Sequence, residues 1–194
     1  VVLQYNSSEE TLNCMKSLIN VSYSNFQVLI IDNYSEIEHL NNVKFFLESE
    51  LVGDRRFKLV INEENLGYSG GNNIGIELAI SQGADYVLIL NPDTWVEPDF
   101  LSKMIEVGEK NNKIGLLGPV LNEGGSKIYY GVIEWLKPEL THSTLKIKNF
   151  ELKTNIYIPG TALLIKQEVI KKIGGFNESY FLYFQESIQH KQQR

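Results

Sequence analysis

Residues 86–93 read YVLILNPD, and Thr94 follows. Five mostly branched apolar residues in a row have the pattern of a strand covered on both faces, because a half-exposed strand alternates instead. The sequence then turns polar at once, at Asn91, Pro92 and Asp93. An open α/β sheet binds its ligands outside the carboxyl ends of its strands, so a carboxylate in this place is a candidate site residue. A Pro-containing turn draws on the same residue types, and the local sequence leaves both uses of Asp93 open.

Upstream, the apolar run Phe57–Ile61 leads into residues 62–73, NEENLGYSGGNN. The glycines at 67, 70 and 71 predict a tight loop with room for a ligand against its backbone. That loop opens onto the N-terminus of a helix marked by Ile74, Leu78 and Ala79 and capped by Gly83. Residues 26–31 form another apolar run, ending at Asp32-Asn33-Tyr34-Ser35 before a short helix-like piece over 36–40. Residues 43–50 fit a strand or a helical turn, and 53–56 form a polar link. At the start, VVLQY (1–5) reads as a strand; Ser7 and Glu10 match a capping box, with Leu12, Met15, Leu18 and Ile19 on one helical face.

Downstream, Pro98 and Asp99 suit the first turn of a helix whose inner face is Leu101, Met104 and Ile105 and whose end is Gly108. Residues 114–117 suggest a strand closed by Gly118-Pro119. Beyond residue 120 the apolar pieces are short: 128–133, a segment around Trp135-Leu136, 155–158 and 162–165, with 137–151 as surface material and a brief helix at Gln167–Ile173. The expected order to residue 117 is βαβ(α)βαβαβ, followed by a mixed or antiparallel extension.

The 194 residues suffice for one domain and not comfortably for two. The formal charge of −6 is no footprint for nucleic acid. A single cysteine, Cys14, excludes an internal disulfide and a cysteine zinc cluster, fits a reducing compartment, and lies in an apolar pattern that suits a buried spectator. His39, His142 and His190 lack ligand spacing. No stretch approaches the ~18 apolar residues of a membrane span, and no signal peptide is visible. The chain opens within an apolar run and without Met, which predicts processing or trimming.

Three polar clusters follow predicted strands: Tyr5-Asn6, Asp32-Asn33 and Asn91–Asp93. Parallel strands share one carboxyl edge, so these groups are expected to converge on a crevice. Asp32 could accept hydrogen bonds from a base or ribose. A dinucleotide fingerprint is missing, because YNSSEE occupies the turn after the first strand; no Gly-Lys-Ser/Thr ends the glycine-rich segment either. A nucleotidyltransferase would want a basic loop where YNSSEE stands. Asp93 offers hard oxygen to a divalent cation, which would supply the positive charge a diphosphate needs on an acidic protein.

The segments YNSSEETLNCMKSL (5–18), VLIIDNYSE (28–36), NEENLGYSGGNNIGIELA (62–79), GADYVLILNPDTWVEPDFL (83–101) and PGTALLIKQEVIKKIGGFNESYFLYFQE (159–186) together resemble family 2 glycosyltransferases, in particular a rhamnosyltransferase-like branch. The resemblance implies the α/β GT-A fold of nucleotide-diphospho-sugar transferases: a mostly parallel central sheet flanked by helices, with a small mixed or antiparallel C-terminal extension. It implies one domain over 1–194, with a nucleotide-binding half at 1–118 and an acceptor and catalytic half at 119–194. The family pattern continues beyond residue 194, so this second half is expected to be truncated.

The implied activity is inverting, metal-dependent transfer of a sugar from a nucleoside-diphosphate sugar to an acceptor hydroxyl, in polysaccharide or glycan synthesis. By position, Tyr5, Asn6, Asp32, Asn65, Gly67, Gly70, Gly71 and Asn72 would serve the nucleotide and diphosphate. Asp93 would bind Mg2+ or Mn2+ as the last residue of a DXD-like motif whose first position is Asn91. Asn91, Gly160 and Thr161 would line the donor and acceptor pocket. Glu186 would be the general base. The implied partners are the sugar donor and a saccharide or lipid-linked saccharide acceptor, at a cytoplasmic site or at the inner membrane face. Where the family has Glu-Asp, often with a further Asp two residues on, this chain has Gln185-Glu186 and Ile188. Two readings follow: an active transferase, and an impaired or truncated domain that binds nucleotide-sugar or protein.

Overall fold

The computed structural model describes residues 1–132, 141–143 and 156–179. In chain order the elements are β1 (Val2–Gln4), α1 (Ser8–Ile19), β2 (Val28–Asp32), α2 (Ile37–Ser49), β3 (Phe57–Ile61), α3 (Gly67–Ser81), β4 (Tyr86–Leu90), α4 (Phe100–Lys110), β5 (Leu116–Leu117), β6 (Leu121–Glu123), β7 (Ser126–Ile128), β8 (Tyr130–Val132), β9 (Thr141–Ser143), β10 (Ile156–Tyr157), β11 (Ala162–Lys166) and α5 (Gln167–Ile173). The alternation expected up to residue 117 is present.

The central sheet has the order β3-β2-β1-β4-β11-β5. The four strands from β3 to β4 are parallel, and β11 runs antiparallel between β4 and β5. Side chains alternate across it. Leu88 and Leu90 of β4 face a core built with Cys14, Met15 and Leu18 of α1, Val43 and Phe46 of α2, and Leu101 of α4. Val87 and Ile89 face the other core, with Ile76 of α3 and Val169 and Ile170 of α5. Each such side chain taken from water contributes about 1.5–3 kcal/mol, which is why β4 tolerates no polar residue until Asn91.

Several local expectations differ from the structure. Residues 43–50 belong to a continuous helix, α2, whose Leu40, Val43 and Phe46 recur at helical spacing on its buried face. Gly108 lies inside α4 and does not end it; a Cβ there would crowd the Tyr86 hydroxyl at 2.9 Å and Leu117 at 3.2 Å, so close packing explains the residue. Ser7 makes no side-chain cap, and the predicted capping box is not formed. The run 128–133 is divided between β7 and β8, and β9 falls within the segment expected as surface material. Trp135 and Leu136 lie outside the described residues.

The largest revision concerns the glycine-rich segment. α3 begins at Gly67, seven residues ahead of the predicted Ile74, so GYSGGNN is helical. A Cβ on Gly71 would overlap Leu3 of β1, and one on Gly75 would overlap Val1. These two glycines lie four apart on one helical face and let α3 approach the sheet closely.

Candidate active site

The strand order reverses between β1 and β4: the chain winds outward through β2 and β3, then returns to the far side of β1. That switch point is where an open sheet leaves a crevice between diverging loops. Tyr5 and Asn6 leave β1 on one side of it, and Asn91–Asp93 leave β4 on the other. β11 starts where β4 ends, with Ala162 opposite Leu90, and the Asn91 N–H donates to the Thr161 carbonyl at 2.9 Å. Gly160 and Thr161 are thereby brought to the β4 corner from far along the chain.

The β1 and β2 turns are tied together. Asn6 has φ 50° and Tyr34 has φ 67°, the left-handed region, which asparagine tolerates and tyrosine rarely adopts. The Asn6 N–H donates to Ser35 Oγ at 3.1 Å, and Asn6 Oδ1 accepts from the Glu36 N–H at 2.7 Å. These turns leave Tyr5 and Tyr34 exposed at the carboxyl edge.

Asp32, expected toward a base or ribose, is wholly buried. Its Oδ2 accepts from Gln4 Nε2 and its Oδ1 from the Ser35 N–H, so both oxygens are engaged by the chain. Beside it, the buried Asn33 has both ends of its amide occupied: Nδ2 donates to Asn65 Oδ1 at 2.8 Å and to the Gly67 carbonyl at 3.1 Å, while Oδ1 accepts from Asn62 Nδ2 and the Leu66 N–H. Asn65 Oδ1 also accepts the Gly67 N–H at 2.9 Å, supplying the first turn of α3 with an acceptor. Asn65 and Gly67 therefore sit together at this edge. Gly70 faces Leu66 and Gly71 faces Leu3, while Asn72 is buried and its Nδ2 donates to the Tyr68 carbonyl. Asn72 Oδ1 has no partner among the described residues.

Three residues absent from the sequence-predicted set shape this edge: Gln4, Asn33 and Tyr68. The Tyr68 hydroxyl lies 3.3 Å from Asn91 Oδ1 and 3.2 Å from the Gly160 carbonyl, and its ring meets Phe176 edge-on at 6.0 Å. Asn73 holds the same C-terminal stretch, donating to the Phe176 carbonyl and accepting its N–H. Gln4 carried a signal in the sequence, as a polar residue closing the apolar run VVLQ.

Asp93 is exposed and makes no hydrogen bond or ion pair among the described residues. No group of three or more His, Cys, Asp or Glu that could hold a metal occurs among those residues. A lone accessible carboxylate does not fit an ion held in an all-protein cage; it fits one that keeps most of its waters and shares its remaining positions with phosphate, as Mg2+ does. Cys14 is buried beneath this corner, and burial, reinforced by the charge of Asp93, pushes its thiol up to about 12, which suits a spectator. Glu186 lies outside the described residues. A cavity of about 360 Å³ at the opposite edge of the sheet, among Tyr23, Phe26, Gln82, Tyr86 and Phe100, contains none of the predicted site residues.

A sequence profile described as Glycosyl transferase family 2 matches residues 1–174. The low-salt glycan biosynthesis hexosyltransferase Agl10 of Haloferax volcanii is 25% identical over 194 residues, covering 96% of this chain and 58% of that protein. The dTDP-rhamnosyl transferase RfbF of Shigella flexneri is 23% identical over 186 residues, covering 94% of this chain and again 58% of the relative. The chain thus spans less than two thirds of the length of these relatives. The solved structure of GalNAc-T7 with UDP, GalNAc and Mn2+ superposes with a TM-score of 0.74 at 17% identity, over 96% of this chain and 38% of that one, a likeness of fold. Among the described residues no helix is long and apolar enough to cross a membrane. With the family profile running through every strand of the central sheet, the chain belongs to glycosyl transferase family 2.

Proposed function

We propose that this protein transfers a sugar from a nucleoside-diphosphate sugar to an acceptor hydroxyl with inversion at the anomeric carbon. The observation that carries the reading is the corner at the switch point: exposed Asp93 and half-buried Asn91 leave β4 beside Gly160-Thr161 and across from the Tyr5-Asn6 turn. The nucleoside lies on the β1–β2 side, along Tyr5 and Asn6, with Asp32 bracing the turn below. The diphosphate lies between Asn91–Asp93 and the first turn of α3, where Asn65, Gly67, Gly70, Gly71 and Asn72 shape the wall.

A Mg2+ or Mn2+ ion held by Asp93 and the diphosphate would offset the charge that builds on the leaving group. The GalNAc-T7 structure, with its UDP and Mn2+, supports that assignment by analogy of fold. The chain's own part in the chemistry is proton transfer and placement. Glu186 takes the acceptor hydroxyl's proton while that oxygen bonds to the anomeric carbon and the bond to the diphosphate oxygen breaks. The Asn73 and Tyr68 contacts to Phe176 anchor the segment that leads toward Glu186. The kinship with RfbF supports a rhamnosyl-type donor, and with it a saccharide or lipid-linked acceptor met at the cytoplasmic face of a membrane.

A second reading, a domain that binds the donor without turning it over, is favoured by Gln185-Glu186 and Ile188 alone, since a base displaced by about 1 Å loses roughly a hundredfold in rate. Calorimetric titration of UDP, dTDP and GDP with and without Mn2+ tests the site: binding should need the metal, and Asp93→Ala should weaken it about tenfold or more. Unchanged affinity in Asp93→Ala refutes the role of Asp93. A transfer assay across the corresponding nucleotide-sugars then separates the two readings, because equal background turnover in wild type and Glu186→Gln leaves only the binding domain.

A further inference from the structure

We infer that Tyr68 is a positioning residue that turns the Asn91 carboxamide so that its NH2 group donates to the donor's diphosphate. The inference rests on the function proposed above and adds a residue to it. The Tyr68 hydroxyl is shared between Asn91 Oδ1 at 3.3 Å and the Gly160 carbonyl at 3.2 Å, so one phenol clamps the ends of β4 and β11 to the first turn of α3. With Oδ1 held by the phenol, the Asn91 NH2 is directed away from it, and it has no acceptor among the described residues.

Charge decides what that NH2 is suited to. The protein carries a net −6, and Asp93 is the nearest carboxylate of the corner in sequence, so an acidic first residue would add repulsion against a diphosphate. An amide places donors there instead. A hydrogen bond to a charged oxygen is among the stronger polar contacts, and it demands the orientation that Tyr68 enforces. The ring of Tyr68 packs edge-on against Phe176 independently of the hydroxyl, so the two contributions can be separated by removing one oxygen atom.

The test is a double-mutant cycle on nucleoside-diphosphate affinity. UDP, dTDP and GDP are titrated with Mn2+ into the full chain by calorimetry, and the tightest is carried through Tyr68→Phe, Asn91→Ala, the double variant and Asn91→Asp. Tyr68→Phe is expected to weaken binding about fivefold and Asn91→Ala about tenfold, while the double variant is no weaker than Asn91→Ala, because Tyr68 acts through Asn91. Asn91→Asp is expected to bind more weakly than wild type. Independent, multiplying effects overturn the inference, and so does tighter Mn2+-dependent binding in Asn91→Asp, which would make position 91 a metal ligand. Thermal melting checks the fold: Tyr68→Phe keeps its ring and should melt within about 2 °C of wild type, whereas a large drop together with an affinity loss that persists in the Asn91→Ala background assigns Tyr68 a structural role and overturns it too. Binding that Asp93→Ala abolishes and Tyr68→Phe leaves alone overturns this inference only; no binding by wild type to any of the three diphosphates overturns the functional reading with it.

Discussion

Asp32 and Asp93 stand in matching places, each at the carboxyl end of an apolar strand of the same sheet. Asp32 is 0% exposed and both its oxygens accept hydrogen bonds from Gln4 and Ser35, whereas Asp93 is exposed and has no partner among the described residues. The first carboxylate builds the edge and the second is left over for something else. The difference arises from neighbours: β2 is flanked by strands on both sides and roofed by the Asn6–Ser35 tie, while β4 ends at the switch point, where the next loop diverges.

The sharpest way to break this comparison is to remove each carboxylate in turn. Asp32→Ala strands the Gln4 amide and the Ser35 N–H without acceptors, and should cost about 3 kcal/mol in urea unfolding. Asp93→Ala should stay within about 0.5 kcal/mol of wild type and show its effect only in metal-dependent nucleotide binding. An Asp32→Asn protein with native stability and no nucleotide affinity would show that Asp32 also faces a ligand.

The wall between the two carboxylates, the start of α3, is the part of the molecule the sequence describes least directly. The strands were legible because their apolar runs are continuous, and the α/β alternation followed from spacing. The glycines of NLGYSGGNN carry two meanings, freedom for a loop and closeness for a helix, and only the position of Leu3 and Val1 decides between them. The insertion of β11 between β4 and β5 could not be read at all, since local sequence holds no record of which strand pairs with which. The same applies to Tyr68, whose partners lie 23 and 92 residues away, and to Asn33, whose amide partners lie about 30 residues downstream. What sequence supplied at the site was residue chemistry at strand ends; what it lacked was the knowledge of which groups the fold itself would use.

Gly71→Ala measures the closeness of that wall. Its methyl would overlap Leu3, inside the joint between α3 and β1, and overpacking of this kind should cost about 2 kcal/mol. Gly53→Ala is a useful contrast: no atom lies near its added Cβ, so its cost is the strain of φ 79° alone, about 1 kcal/mol. Equal melting temperatures for Gly71→Ala and wild type would mean that α3 can withdraw from the sheet, and the glycines would then return to a ligand-facing role.

A third carboxylate sets the lower end of the scale. Asp54 is engaged like Asp32, its two oxygens accepting from Arg56 Nε and Nη2, but at the surface; Arg56 in turn lies over the Phe26 ring at 5.2 Å. The hydrogen bond from Arg56 holds the Asp54 carboxyl below its usual value of 3.8. A carboxylate depressed in the folded state stabilises above its unfolded pKa and loses that stabilisation as pH falls through the folded value. Asp54→Asn should therefore lower stability by only about 0.5 kcal/mol at pH 7, water screening the pair, and the gap to wild type should narrow as the pH falls below about 4. Urea midpoints of the two proteins at pH 7 and pH 3 measure this. A gap that stays constant would place the contribution of Asp54 in hydrogen-bond geometry that asparagine cannot reproduce, and a gap as large as that of Asp32→Ala would erase the distinction between a buried and a surface carboxylate on which the whole comparison depends.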